Sequence, residues 1–320
     1  MFTLGDVPRS FQIALALTFG LLFGSFLNVV IYRVPRGLSV LFPGSACPAC
    51  GQAIRSWQNV PVFSWLLLGG KSACCKTPIS PRYPLVELLG GAIGVLIVLL
   101  RLNDPSLTLT RAALLFLGYL ALGLGLIALT FIDLEFMILP DALTLGGALL
   151  GIAIAPFRQR LSVVEAVASA AGGYLLIWLP FVWGYEKLRG VPGMGLGDAK
   201  LVALAGAWFG PFGVLFTLFA GAVQGTLAFL ITLLVGGKIE EPAAVILERQ
   251  ELEAALAAAT PEERAEIEQA IQGDPLAREP DGTLATARMP FGPFLALALL
   301  ELLFFEDALG ALVERSLFPE

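Results

Sequence analysis

The chain has 320 residues, of which 57% are apolar and only 14% are charged, with a net charge of −6 and a mean hydropathy of +0.82. A soluble domain carries about 25% charged residues, so this composition indicates a protein of the lipid bilayer. There is no histidine, which excludes Ser-His and Cys-His nucleophilic catalysis and leaves acid–base chemistry to carboxylates, Lys, Tyr or Cys.

Apolar segments account for most of the chain. A helix that crosses a hydrocarbon core of roughly 30 Å needs about 20 apolar residues, and its backbone polar groups must be satisfied within the segment. We therefore predict an all-α fold, a polytopic membrane helical bundle with about eight transmembrane helices. The segments are 11–32, 84–101, 112–132, 142–157, 163–185, 199–211, 212–236 and 291–313. Only Gly210-Pro211 separates the sixth from the seventh, so one long kinked helix is the alternative there.

Loop charges predict the orientation. The loop after the first segment carries six Lys and Arg residues between 33 and 82 and no Asp or Glu, which places it in the cytoplasm by the positive-inside rule. Eight crossings then bring 133–141, 186–198 and 238–288 to the same side. The organisation that we expect is a first transmembrane helix (1–32), a cytoplasmic Cys-rich loop (33–83), a transmembrane catalytic core (84–237), an acidic insert (238–288), and a last transmembrane helix with the C-terminus (289–320).

The net negative charge of the chain comes from the insert. Residues 238–288 contain 12 acidic and 5 basic side chains, whereas the remainder has 14 acidic and 15 basic ones. Its Ala, Leu and Glu content favours helices, and Thr260-Pro261-Glu262-Glu263 matches a capping box with Pro at the first helical position; Gly273 is a plausible helix stop. The sequence predicts a cytoplasmic helical hairpin here. No basic tract indicates nucleic acid as a partner.

Two carboxylates stand where membrane segments meet the predicted cytoplasmic face. Asp133 ends the third segment, and Asp198 precedes the sixth within Gly-Met-Gly-Leu-Gly-Asp. Carboxylates at membrane depth are costly and usually mark a functional site. A facing pair can share one proton, so that one member acts as general base and the other as acid. The glycines before Asp198 permit close approach of a substrate strand.

Other interpretations of these carboxylates stay open on residue types alone. Asp198 could be the N-cap of the sixth helix, and Asp141 the N-cap of the fourth after Pro140. A proton-coupled transporter or ion pathway that uses Asp133 and Asp198 as a relay is the alternative function.

All four cysteines lie in the basic loop, as Cys47, Cys50, Cys74 and Cys75. In a reducing compartment such clustering indicates metal rather than a disulfide. Four thiolates suit a tetrahedral structural zinc site, and four free thiols are the alternative.

Five ordered blocks resemble the bacterial type 4 prepilin peptidases, a family of GxGD aspartyl proteases. The blocks are Gly24-Ser25-Phe26-Leu27-Asn28-Val29-Val30-Ile31-Tyr32-Arg33, Arg82-Tyr83-Pro84-Leu85-Val86-Glu87, the stretch from Asp133 to Pro140-Asp141, Gly195-Leu196-Gly197-Asp198, and Pro290-Phe291-Gly292-Pro293-Phe294. They span nearly the whole chain except the acidic insert. The cysteine loop and the first helix are of the bacterial type, which disfavours an archaeal preflagellin protease.

The resemblance implies that Asp133 and Asp198 are the catalytic pair and that Asp141 is a neighbour. It implies cleavage of prepilin or pseudopilin leaders after a glycine, in the bacterial cytoplasmic (inner) membrane, by a multi-pass protein surrounded by membrane lipid. Family members often also methylate the new N-terminus with S-adenosylmethionine. Glu87 is a weak candidate for the methyl-transfer site, and the alternative is that it only lies at a helix end. The family loop has two Cys-x-x-Cys pairs, and here Ser72 stands where the third cysteine is expected, so Cys74 would have to replace it.

Overall fold

The computed structural model describes residues 2–47, 49–190, 192–235, 241–271 and 289–317. Within these ranges the chain is helical and contains no strand, only three isolated β-bridges. The helices are α1 (Arg9–Arg33), α2 (Phe63–Leu67), α3 (Arg82–Leu96), α4 (Leu109–Phe136), α5 (Asp141–Arg158), α6 (Val163–Ile177), α7 (Tyr185–Arg189), α8 (Leu196–Leu234), α9 (Ala243–Ala258), α10 (Pro261–Ile271) and α11 (Gly292–Leu317). Short π-helical segments extend α3 to Arg101 and join α6 to α7.

Six helical stretches of the described chain are long and apolar enough to cross a membrane. They are Arg9–Arg33, Arg82–Arg101, Leu109–Phe136, Asp141–Arg158, Val163–Arg189 and Leu196–Leu234. The protein is thus an all-α, multi-pass membrane protein. We predicted eight membrane segments, and two differences account for the six found. The predicted sixth and seventh segments both lie in α8. The predicted eighth segment, α11, carries the acidic residues Glu301, Glu306 and Asp307, so it is too highly charged to count as a candidate span.

A break at Gly210 divides α8. Gly210 has φ 66° and ψ −159°, which are not helical angles, and Pro211 follows it. A positive φ favours glycine because a Cβ would be strained there. The 39-residue stretch therefore consists of two helices that meet at the predicted Gly210-Pro211 boundary.

The chain forms two compact units, and the first comprises Met1–Leu129, Leu150–Ser162 and Leu299–Glu320. In this unit α1 and α3 pack in opposite directions with their backbones in close approach. A Cβ on Gly20 or on Gly90 would overlap the backbone of the opposite helix. Glycine at these positions lets the two helices pack at a short distance, as is common in membrane bundles.

The second unit comprises Thr130–Leu149 and Val163–Ala298. Here α6 packs against the first half of α8, which is buried throughout from Leu201 to Gly210. The indole Nε1 of Trp208 donates to the Gly147 carbonyl at 2.8 Å and so ties α8 to α5. This packing fixes the start of α8, where Asp198 lies.

The described part of the insert is helical, as predicted. The backbone N–H and hydroxyl of Thr260 donate to the Glu263 carboxylate at 2.9 and 2.8 Å, and Glu263 N–H returns a bond to the Thr260 hydroxyl at 3.4 Å. The capping box is therefore formed, and Pro261 is the first residue of α10. Residues 238–240 and 272–288, including Gly273, lie outside the described residues.

Candidate functional site

Asp133 lies in the last turn of α4 and is 4% exposed. The backbone N–H of Gly292, the first residue of α11, donates to its Oδ2 at 3.0 Å. A Cβ on residue 292 would stand 2.7 Å from the same oxygen, so only glycine lets the backbone come this near. The start of α11 thus holds a buried carboxylate in one orientation.

Asp198 is the third residue of α8, which begins at Leu196 with Gly195 as its N-cap. The alternative that Asp198 is itself the N-cap is therefore wrong, because the helix begins three residues earlier than that alternative requires. The backbone N–H of Asp198 donates to the Gly195 carbonyl at 3.2 Å in the first turn of the helix. Its side chain is half-buried.

The two carboxylates belong to the same unit and lie close enough to interact electrostatically. Like charges at short distance and low dielectric cannot both ionise at little cost, so such a pair favours one shared proton. The pair then offers one ionised oxygen that can accept a proton from water and one protonated oxygen that can donate to a carbonyl. The chemistry required of an aspartic peptidase is available at this position.

Leu139 packs against Gly197, which precedes Asp198, and against Gly292, whose N–H bonds Asp133. A Cβ on Gly197 would lie 2.8 Å from the Leu139 Cβ, and a Cβ on Gly292 would lie 3.0 Å from its Cδ2. The turn that carries Leu139 includes Met137 with a φ of 54°, an unusual value for a residue with a side chain. Glycine is thus required by packing at both 197 and 292.

Asp141 is the first residue of α5, with Pro140 before it, so it lies one position inside the helix from the N-cap that we considered. Its carboxylate pairs with the Lys200 ammonium at 2.5 Å. The Asp141 side chain is 61% exposed and that of Lys200 is 20% exposed. Sequence reasoning missed Lys200, although its position two residues after Asp198 was the available signal.

The four cysteine sulfurs form one cluster in the first unit, all within 4.8 Å of one another. The Sγ–Sγ distances are 3.7 Å for Cys47–Cys75, 3.3 Å for Cys50–Cys74 and 3.9 Å for Cys74–Cys75. Four sulfurs placed tetrahedrally at 2.3 Å from one zinc ion would be about 3.8 Å apart. The cluster could therefore bind a metal ion, and the adjacent residues Cys74 and Cys75 both take part.

Ser72 occupies the position expected for the third family cysteine, and it lies beside the cluster instead of within it. Its hydroxyl is 3.2 Å from the Cys75 sulfur and accepts the Thr77 backbone N–H at 3.1 Å. Hydrogen bonds from Ser72 and then Thr77 lower the pKa of the Cys75 thiol to about 5. Cys75 is thus held in the thiolate form, which is the form that binds metals.

Glu87 is buried in α3 at 8% exposure, five residues inside the helix, so helix-end placement does not describe it. Its Oε2 accepts the backbone N–H of Val62 at 2.7 Å. Neither this contact nor that of Gly292 with Asp133 could be inferred from spacing in the sequence.

Two family models match separate parts of the chain. Residues 18–101 match the bacterial peptidase A24 N-terminal domain, and residues 120–230 match the type IV leader peptidase family. The first match contains all four cysteines, and the second contains Asp133 and Asp198. The comparison with solved structures finds no match.

Several curated proteins with the name prepilin leader peptidase/N-methyltransferase are similar to this chain. The one from Burkholderia pseudomallei (strain 1026b) is 38% identical over 251 residues, which cover 69% of this chain and 78% of that protein. The one from Neisseria gonorrhoeae is 38% identical over 257 residues, covering 73% and 86%. The one from Pseudomonas aeruginosa is 36% identical over 251 residues, covering 70% and 83%. Together with the two matching domain models, these relatives show that the chain belongs to the type IV leader peptidase family.

Proposed function

We propose that this protein is an intramembrane aspartic endopeptidase that removes the leader peptide of type 4 prepilins or pseudopilins. The observation that carries the proposal is the position of Asp133 and Asp198 in one helical unit of a membrane protein. There Leu139 packs against both Gly197, which precedes Asp198, and Gly292, whose N–H bonds Asp133. The family and the names of the relatives support the substrate class.

The reaction follows from the shared proton of the pair. The ionised carboxylate takes a proton from a water molecule, whose oxygen attacks the scissile carbonyl carbon. The protonated carboxyl donates to the carbonyl oxygen as charge develops there, and a proton then passes to the leaving amine when the C–N bond breaks. The Gly292 amide, by bonding Asp133 Oδ2, leaves the other oxygen of that carboxylate for the water or the carbonyl.

The proposed site of cleavage is the cytoplasmic face of the bacterial cytoplasmic membrane. The basic loop before residue 83 favours this orientation, and the predicted crossings bring both aspartates to that face. A prepilin with a basic leader in the cytoplasm and an apolar helix in the membrane would present its junction at this depth. The resemblance to the family implies cleavage after a glycine, ahead of the apolar pilin helix.

The cysteine cluster is proposed to hold one structural zinc ion. Cys47, Cys50, Cys74 and Cys75 would be the ligands, since their spacing fits a tetrahedral tetrathiolate site. Such an ion would stabilise a loop that is otherwise short of apolar core. It takes no part in the peptidase step.

Methylation of the new N-terminus is proposed from the names of the relatives, with S-adenosylmethionine as methyl donor. The described residues form no strand and hence no Rossmann-type nucleotide site.

The alternative of a proton-coupled transporter finds no support in the family match or in the relatives. The deciding experiment is to incubate the purified protein with a prepilin, with and without S-adenosylmethionine, and to weigh the products. Loss of the leader mass supports the peptidase, and the added mass of one methyl group supports the second activity. An intact prepilin after prolonged incubation with folded protein would contradict both.

A further inference from the structure

Helices α1 and α3 bring an amide and a carboxylate to one end of their interface. Gly24 packs against Glu87, since a Cβ on residue 24 would lie 3.0 Å from the Glu87 Cα. One helical turn further along α1, the Asn28 Nδ2 donates to the Tyr83 carbonyl at 3.1 Å. Tyr83 precedes Glu87 by one turn of α3, so Asn28 and Glu87 flank the same stretch of that helix.

The acceptor oxygens of Asn28 and Glu87 outnumber the hydrogen-bond donors around them. Asn28 is 4% exposed, and its Oδ1 has no hydrogen-bond partner. Glu87 is 8% exposed, and no Lys or Arg in the described part of the chain lies within ion-pair distance of its carboxylate. Buried carboxylates are normally paired with a cation, and buried carbonyl oxygens normally accept a hydrogen bond. A ligand with positive charge and several N–H donors would supply both needs.

The backbone next to Glu87 is strained. Val62, whose N–H bonds the Glu87 carboxylate, has a φ of 63°, which is an outlier for a β-branched residue. Strain of this kind persists where the surroundings enforce it, and it concentrates at ligand sites. An apolar interface that needed only packing would not require a buried carboxylate, an unpaired amide oxygen and a strained loop at one place.

We propose that Glu87 and the Oδ1 of Asn28 form a binding site for a primary ammonium group, the free N-terminus that leader cleavage produces on the pilin. An ammonium has three N–H donors and one positive charge, which match the Glu87 carboxylate and the unpaired amide oxygen. The identity of the ligand as a pilin N-terminus rests on the proposed function. It would hold the amine that the methylation step modifies.

The competing explanation is that Glu87 only anchors the loop through Val62. This explanation does not account for the unpaired Asn28 Oδ1. A matched pair of variants distinguishes it from amine binding. Glu87→Gln keeps an oxygen that can accept the Val62 N–H but removes the negative charge. Ser64→Ala keeps Glu87 but removes the hydroxyl that donates to the Trp57 carbonyl and accepts the Val60 N–H, both at 2.9 Å, in the same loop.

The test measures the affinity of the full-length protein in lipid nanodiscs for two synthetic peptides of a mature pilin N-terminus, one with a free amine and one N-acetylated. A charge-assisted hydrogen bond predicts that wild type prefers the free amine by about tenfold or more. Glu87→Gln should abolish this preference and leave the acetylated peptide unaffected, and Ser64→Ala should retain it. In the coupled assay Glu87→Gln should still cleave prepilin but methylate it poorly.

Equal binding of the two peptides by wild type would overturn the proposal. So would an unchanged preference in Glu87→Gln, or the same loss of preference in Ser64→Ala. Weaker binding of S-adenosylmethionine by Glu87→Gln, with both peptides unaffected, would assign the site to the sulfonium cation and would also overturn it. If wild-type protein cleaves no prepilin, the proposed function fails, while the comparison of the two peptides still decides whether the site binds an amine.

Discussion

The backbone N–H of Gly292 donates to Asp133 Oδ2 at 3.0 Å, although 159 positions of sequence separate the two residues. The bond joins the last turn of α4 to the first residue of α11 inside a buried environment. It fixes the orientation of one carboxylate of the proposed dyad, and the donor is a backbone group and not a side chain.

Gly292→Ala should therefore abolish most of the activity. The new Cβ would stand 2.7 Å from the Asp133 oxygen and 3.0 Å from Leu139, so the carboxylate or the helix start must move. A displacement of about 1 Å at a catalytic group lowers rates by about a hundredfold. The initial rate of prepilin cleavage measures the effect. Gly146→Ala is the matched control, because a Cβ there meets nothing within 4 Å, and it should cleave at nearly the wild-type rate. Equal rates for the two variants would contradict the tight contact.

The sequence was sufficient to predict the all-α membrane fold and the cluster of four cysteines, because both follow from local composition and spacing. The catalytic roles of Asp133 and Asp198 stay a prediction. The capping box at Thr260 and the break at Gly210 were also predicted, since both follow from residue types within a few positions. The start of α8 was misjudged: a glycine-rich approach to a helix gives no strong N-cap signal, and Gly195 takes that position.

Contacts between distant segments could not be predicted. The bonds from Gly292 to Asp133 and from Val62 to Glu87 are made by backbone N–H groups, which every residue except proline carries. The pairing of Asp141 with Lys200 depends on how α5 meets α8, which spacing does not reveal. Tertiary packing decides these partners, and it leaves no periodic trace in the sequence.

Asp141→Asn should retain substantial cleavage activity. The ion pair of Asp141 with Lys200 is largely exposed on the Asp141 side, and exposed pairs contribute about 0 to 1 kcal/mol to stability. Activity and thermal unfolding of the variant should therefore stay close to those of wild type. A loss of cleavage as severe as that of an Asp133 variant would show that Asp141 takes part in the reaction.

Zinc binding should depend on Cys74 and be independent of Ser72. We expect one zinc per chain in protein purified without chelator, measured by elemental analysis. Cys74→Ser removes a sulfur from the cluster and should lower the zinc content, whereas Ser72→Ala should keep it. Loss of the ion should disturb methylation more than cleavage, because the cysteines and the aspartates lie in different units. A zinc content near zero in wild type, with four thiols that titrate in the native state, would exclude the site.

The acidic insert should be dispensable for turnover. Replacing 240–286 by a short Gly/Ser linker removes α9 and α10 together with 12 of the 26 acidic side chains of the chain. Turnover at saturating prepilin should stay nearly unchanged. Any defect should appear as a higher KM at low salt only, because long-range attraction to a basic leader is screened over about 8 Å at physiological ionic strength. A folded deletion variant with reduced kcat would show that the insert helps to build the active site.

The central claim is that Asp133 and Asp198 act together on the scissile bond. Its most direct test is the rate at which purified Asp198→Asn protein cleaves prepilin, with folding and membrane insertion verified, and Asp133→Asn measured in parallel. Asparagine preserves the shape of the side chain but can neither accept the proton of water nor share one with the partner carboxylate. We predict no detectable cleavage by either variant, and cleavage by Asp198→Asn at the wild-type rate would contradict the account.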